Sequence, residues 1–141
     1  GEPFVIEYNV RMGDPESEVV FPRIKSDFLE LLIATAENRL KDMKVEFEEK
    51  AMTTLMLVSG GYPGDYKKGK VMTGLDDTPG SILFHAGTKF SGEDAVTNGG
   101  RVIAVSSFGK DMNEALALSY KNAEKVNFDG KYYRKDIGFD L

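Results

Sequence analysis

Cysteine is absent from the 141-residue chain, so no disulfide, iron–sulfur cluster or thiolate zinc site can form. Histidine occurs once, at His85, which excludes a multi-histidine metal centre. Purely apolar runs are short: Leu31–Ala34 is four residues long, against the ~18 needed to span a bilayer. Basic charge is in deficit, with 18 Lys and Arg facing 23 Asp and Glu, a formal net charge of -5. A general nucleic-acid binder needs a basic footprint that displaces counterions from phosphates, and this chain has none. Neither nucleic acid nor membrane is an expected partner. No secretory segment opens the chain, and a cytoplasmic location is expected. What remains is ordinary globular composition, 41% hydrophobic and 29% charged. At this length one domain can bury roughly two-thirds of its unfolded surface.

The chain opens Gly1, Glu2, Pro3, without a Met, and enters an alternating pattern at once. Phe4, Ile6, Tyr8 and Val10 alternate with Val5, Glu7, Asn9 and Arg11. Side chains on a strand alternate between faces, so residues 3–11 are predicted as a strand with one apolar face. Such a strand needs sheet partners, and some are expected to lie upstream of this sequence. Met12–Glu16 is turn chemistry, and Glu16–Phe21 is a short helix stopped at Pro22. Asp27–Leu40 is the first long helix, with Phe28, Leu29, Leu32, Ile33, Ala36 and Leu40 at helical spacing and Ser26 or Asp27 as cap. Strands are predicted at 51–59, 81–87 and 101–108, with a hairpin over 89–97. Asp111–Val126 is the second main helix, Asp111 and Glu114 standing at capping-box spacing. The pattern is α+β, a mostly antiparallel sheet with two main helices, preceded by a strand and a short helix.

Glu7 and Asn9 stand two apart on the predicted strand, so their oxygens share a face. Magnesium takes hard oxygen ligands, usually one or two from protein with phosphates and waters completing the shell. Arg11, next along that face, offers a fixed guanidinium to an anion. A plain solvated strand face followed by an ordinary turn explains the same residues equally well. Elsewhere the readings are structural. The Gly60, Gly61, Gly64 loop with Lys67, Lys68 and Lys70 lacks the Gly-Lys-Ser/Thr ending of a Walker loop and reads first as a connection between strands. Asn98-Gly99-Gly100 reads as a hairpin turn. Arg101 beside it is a secondary candidate for an active-site cleft. His85 reads as a histidine bonded to backbone or water, and Glu46, Glu48 and Glu49 as a solvated face.

The run Ile6-Glu7-Tyr8-Asn9-Val10-Arg11-Met12-Gly13-Asp14-Pro15-Glu16 resembles the end of the ATP-grasp domain of the phosphoribosylamine–glycine ligase family. The resemblance continues through Pro22–Asp27, Ser59–Gly64, His85–Thr88, Thr97–Val102, Phe128–Gly130 and Tyr133–Gly138. Met12 and Ser17 depart from the family's usual residues without removing a proposed ligand. The family enzyme has an amino-terminal substrate domain and most of an ATP-grasp fold ahead of this point, neither of which is in this sequence.

The resemblance implies residues 1–25 as the end of an ATP-grasp domain and 26–141 as the carboxy-terminal domain. It also implies a carbon–nitrogen ligase of de novo purine synthesis, joining glycine to 5-phosphoribosylamine with ATP. ATP phosphorylates the glycine carboxylate, and the ribosylamine nitrogen then attacks the acyl phosphate. By the same resemblance Glu7 and Asn9 match the ligands of Mg2+ (or Mn2+), and Arg11 and Asp14 lie near the reacting substrates. The fragment alone is expected to be inactive. Two alternatives stay open: a free-standing small-ligand or interaction domain, and a part of another ATP-grasp enzyme.

Overall fold

A computed structural model describes residues 2–139; Gly1, Asp140 and Leu141, which the predicted segments include, lie outside the described residues. Six strands form: β1 (Ala51–Ser59), β2 (Ser81–His85), β3 (Thr88–Ser91), β4 (Asp94–Thr97), β5 (Arg101–Gly109) and β6 (Lys131–Tyr132). The helices are α1 (Ser17–Val20), α2 (Phe28–Ala36) and α3 (Met112–Lys125). The main sheet is antiparallel in the order β2-β5-β1-β6, and β3 and β4 make a separate hairpin. The α+β class with a mostly antiparallel sheet and two main helices is as expected.

Alternation builds the core. Leu55 and Leu57 on β1 pair in register with Val105 and Ile103 on β5, so four apolar side chains share one face. That face, Ala123 and Val126 of the α3 end, and Phe128 form the buried cluster. Full burial of each large aliphatic side chain is worth about 1.5–3 kcal/mol. Polar residues complete the same face further along. Thr53 and Ser119 share a hydroxyl contact at 3.0 Å. Asn122 donates to Pro79 O at 3.0 Å and to Ser81 Oγ at 2.6 Å. These bonds fix the register of α3 on the sheet, because a buried polar group without a partner is costly.

Both main helices start where the sequence predicts caps. Asp27 Oδ1 accepts from the Leu29 and Glu30 amides at 2.9 and 3.2 Å. Asp111 Oδ1 accepts from Glu114 N at 2.9 Å, while Glu114 Oε2 returns to Lys110 N at 2.7 Å rather than to Asp111 itself. The α2 helix ends at Ala36, earlier than Leu40, because Asn38 takes a left-handed backbone with φ of 57°. A separate 3-10 turn then covers Leu40–Asp42.

The predicted strand over residues 3–11 does not form; the segment is irregular and exposed. Ile6 is 96% and Val10 99% exposed. A strand exists only as a member of a hydrogen-bonded ladder, and among the described residues no strand pairs with this one. The short helix after it does form, as α1 followed by a 3-10 turn at Phe21–Arg23. Asn98–Gly100 is not a hairpin turn. It carries the chain from β4 in the small sheet to β5 in the large one.

Candidate functional site

The sequence-predicted residues fall into two groups. Asn9 Nδ2 donates to Glu7 Oε1 at 3.0 Å, both side chains lying in the exposed segment. Arg11 Nη1 donates to the carbonyl of its neighbour Met12 at 3.0 Å. Asp14, by contrast, reaches the folded body and forms an ion pair with Arg101 at the start of β5. Glu7, Asn9 and Arg11 thus stay with the irregular segment, and Asp14 alone of the four is joined to the sheet.

A tight turn presents Asp14. Gly13 N donates to Glu16 Oε2 at 2.5 Å, and Glu16 N donates to Gly13 O at 2.8 Å. A Cβ at residue 13 would lie 2.7 Å from Glu16 Cδ, so a larger residue there would push the Glu16 carboxylate aside.

Three loops far apart in sequence meet beside that turn. Ser59 N donates to Gly100 O at 2.8 Å, and Ser59 Oγ to Gly99 O at 2.9 Å. Asn98 N donates to Gly87 O at 2.7 Å. The backbones of Gly87 and Gly99 are nearly in contact: a Cβ on Gly87 would lie 2.7 Å from Gly99 Cα. A Cβ on Gly100 would lie 2.1 Å from Tyr62 Cδ2. Asp14, Glu18, Tyr62, Gly87, Gly100 and Arg101 are among the residues lining the resulting cleft, about 390 Å3 in volume. The glycine blocks therefore act together in space, which their separate readings as strand connections miss.

The β-bulge beside this cleft explains how Arg101 enters it. Leu57 pairs with Ile103, but Val58 pairs with Arg101, so the register slips by one between them. Without the slip Arg101 would share the face of Ile103 and the buried core. With it, Arg101 shares the opposite face with Met56 and Val58. Re-aiming a side chain is the usual consequence of an extra residue in one strand. No sequence periodicity signals it.

The lysines of the 67–70 loop are placed differently. Lys70 Nζ bonds Asp129 Oδ2 at 2.5 Å, and this hydrogen bond and charge hold the Asp129 carboxyl below its ordinary pKa. The contact ties the glycine loop to the chain after α3, beside a second cavity of about 420 Å3 lined by Ser59, Gly60, Lys67 and Gly130. His85 Nδ1 lies 2.9 Å from Thr88 Oγ1, a local side-chain contact at the bend between β2 and β3. Among the described residues no group of three or more His, Cys, Asp or Glu could hold a metal ion. None of the described helices is long and apolar enough to cross a membrane.

The architecture is thus an antiparallel sheet backed by one helix, with glycine loops converging on an acidic turn beside a cleft. The family model for the phosphoribosylglycinamide synthetase C domain matches residues 52–140. The phosphoribosylamine–glycine ligase of Caldanaerobacter subterraneus subsp. tengcongensis is 44% identical over 135 residues, covering 96% of this chain and 32% of its own length. The Escherichia coli ligase is 42% identical over 142 residues, covering 99% of this chain and 33% of its own. A crystal structure of phosphoribosylamine–glycine ligase from Thermotoga maritima superposes with a TM-score of 0.76 at 36% identity, covering 96% of this chain and 34% of that one. The chain belongs to the phosphoribosylglycinamide synthetase C-domain family. It spans about a third of the length of the curated relatives it matches.

Proposed function

We propose that this chain is the carboxy-terminal part of an ATP-dependent, cytoplasmic ligase that joins glycine to 5-phosphoribosylamine, giving glycinamide ribonucleotide, ADP and phosphate. The observation that carries the proposal is end-to-end similarity. Relatives named phosphoribosylamine–glycine ligase align with 96% and 99% of the chain, including the Glu7–Glu18 run outside the matched family domain. Residues 1–25 are read as the end of an ATP-grasp domain and 26–141 as the carboxy-terminal domain. The exposed Phe4, Ile6, Val10, Leu29 and Leu32 side chains favour that reading, since a larger enzyme would cover them.

Glu7 and Asn9 are the proposed holders of Mg2+ or Mn2+. Their head groups already meet at 3.0 Å, and one carboxylate with one carboxamide oxygen is the small, hard donor set that magnesium accepts from protein. Asn9 Nδ2 faces Glu7 in this contact, and an amide flip would turn Asn9 Oδ1 to the Glu7 side, where a cation would sit between the two oxygens. When bound, such a cation supplies charge neutralisation for the ATP phosphates. The chain's own contribution is positional: Arg11 is proposed to hold a carboxylate or phosphate, and Asp14 to stand beside the reacting substrates. Holding the reacting groups in place supplies much of the catalysis in such transfers.

The test is turnover. A full-length ligase carrying this sequence should sustain ADP release only when glycine and phosphoribosylamine are both supplied, and the 141-residue chain alone should sustain none. Sustained ADP release by the full-length protein with both substrates withheld would overturn the proposal, as would sustained turnover by the isolated chain.

A further inference from the structure

We infer that Arg101 is a substrate-binding residue, that the group it holds is an oxyanion, and that Asp14 acts through it by aiming its guanidinium into the cleft. The identity of the substrates rests on the proposed ligase activity; the anion site itself rests on geometry.

Three observations converge. The β-bulge at Val102, opposite the Leu57–Val58 step, turns Arg101 away from the core face and into the cleft. The Asp14 carboxylate, held out by its own tight turn, meets the guanidinium at Nη1. A guanidinium carries five N–H donors, and Arg101 makes no further hydrogen bond to a described residue. The Arg101 and Asp14 side chains are 48% and 45% exposed, and an ion pair that wet contributes at most about 1 kcal/mol to folding. Stability therefore does not account for a bulge, a dedicated turn and bare glycines assembled around one arginine. Positioning does: a guanidinium held by Asp14 at Nη1 keeps its remaining N–H donors for a phosphate or carboxylate.

The lining narrows the ligand. Glu18 also faces the cleft, so among the described residues lining it Arg101 is the one cation beside two carboxylates. A bare anion would be repelled by Asp14 and Glu18. A ligand whose oxyanion is flanked by O–H or N–H donors satisfies both signs, with Glu18 accepting from the donors. Phosphoribosylamine (phosphate with ribose hydroxyls) and glycine (carboxylate with ammonium) both have this chemistry. At about 390 Å3 the cleft has room for the larger of the two, which is the expected occupant.

The experiment uses the full-length enzyme and its Arg101→Gln, Arg101→Lys and Asp14→Asn variants. Expected is a rise of about ten-fold or more in KM for phosphoribosylamine in Arg101→Gln. Arg101→Lys should recover part of the loss, because it restores charge but not the fork. Asp14→Asn should raise the same KM by a smaller factor, and Asp14→Asn added to Arg101→Gln should cost little more, since one acts through the other. Melting temperatures should stay near wild type. A rise confined to the glycine KM would support the oxyanion site and assign it to the carboxylate. Unchanged KM values for both substrates would overturn the inference while leaving the ligase reading intact. Calorimetric titration of ribose 5-phosphate separates the opposite failure. Binding weakened by Arg101→Gln in a protein without ligase turnover would uphold the anion site and remove the proposed activity. Undiminished binding in Arg101→Gln would remove the site.

Discussion

Lys131 is the side chain whose removal the folded chain should feel most locally. Its Nζ donates to Ala123 O at 2.9 Å, Glu124 O at 3.3 Å and Val126 O at 2.7 Å, the carbonyls that α3 leaves without intrahelical partners. The ammonium also lies 5.5 Å from the centre of the Tyr133 ring. Burial lowers the Lys131 pKa, so the charge stays there at a cost that the carbonyls offset. A positive group at a helix C-terminus is also favoured by the helix dipole. Lys131→Met keeps the stem and strips all three bonds, leaving carbonyls near the buried Val126 unpaired. Urea unfolding of this chain should show a loss of about 1–3 kcal/mol. A change within 0.5 kcal/mol, roughly the surface-substitution range, would make the three contacts incidental. Composition gives no hint of this role, because a lysine beside Tyr132 and Tyr133 reads as an ordinary tail residue until α3 is seen to end under it.

At the scale of elements, the joint between β2, β3 and the loop before β5 depends on backbone contact. A Cβ on Gly87 would lie 2.4 Å from Arg101 O and 2.7 Å from Gly99 Cα. Both neighbours are backbone, so nothing flexible can yield. Gly87→Ala should therefore cost about 1–3 kcal/mol, the usual range for forced overpacking, and should disturb the Arg101 cleft. Gly92→Ala is the matched control: nothing lies within 4 Å of its Cβ, although its φ of +64° is itself unfavourable for alanine. Thermal unfolding of the two variants should separate the contact cost from the conformational one. Equal losses would mean that the Gly87 contact adds nothing. The same elements show what a sequence can disclose. Leu55, Leu57, Val105 and Ile103 alternate because one face of the sheet is buried, and that period marks β1 and β5 directly. Asp27 and Asp111 mark helix starts because free amides must be capped locally. Phe4 to Val10 alternates just as clearly and yet forms no strand, since alternation reports a face to bury and not the partner that buries it. The two-residue β6 has no period at all. The bulge that redirects Arg101 and its pairing with Asp14 are long-range register effects, to which a local pattern is blind.

For the whole molecule, the Glu7–Arg11 segment is where the chain's own fold ends and the proposed enzyme begins. It has no ladder here, so the proposed metal role depends on neighbours that hold Glu7 and Asn9 in place, and the decisive measurement belongs to the full-length ligase. Glu7→Gln keeps the shape and one oxygen but deletes the negative charge. Magnesium favours charged, hard oxygens and takes few of them from protein, so each carboxylate counts. The variant should need more magnesium for half-maximal rate and should reach a lower rate at saturation. Asn9→Ala should shift the requirement in the same direction but less, because a neutral carbonyl attracts the cation more weakly. Arg11→Lys should leave the magnesium requirement unchanged and weaken an anionic substrate instead, since a point charge does not replace a bidentate fork. All three side chains are exposed, so circular dichroism and melting temperature should stay near wild type. A magnesium titration of Glu7→Gln that overlays wild type would remove Glu7 from the metal site and leave the Glu7–Asn9 contact as a surface hydrogen bond. An altered magnesium requirement in Arg11→Lys would instead place the arginine within reach of the same phosphates, moving it from the substrate to the nucleotide.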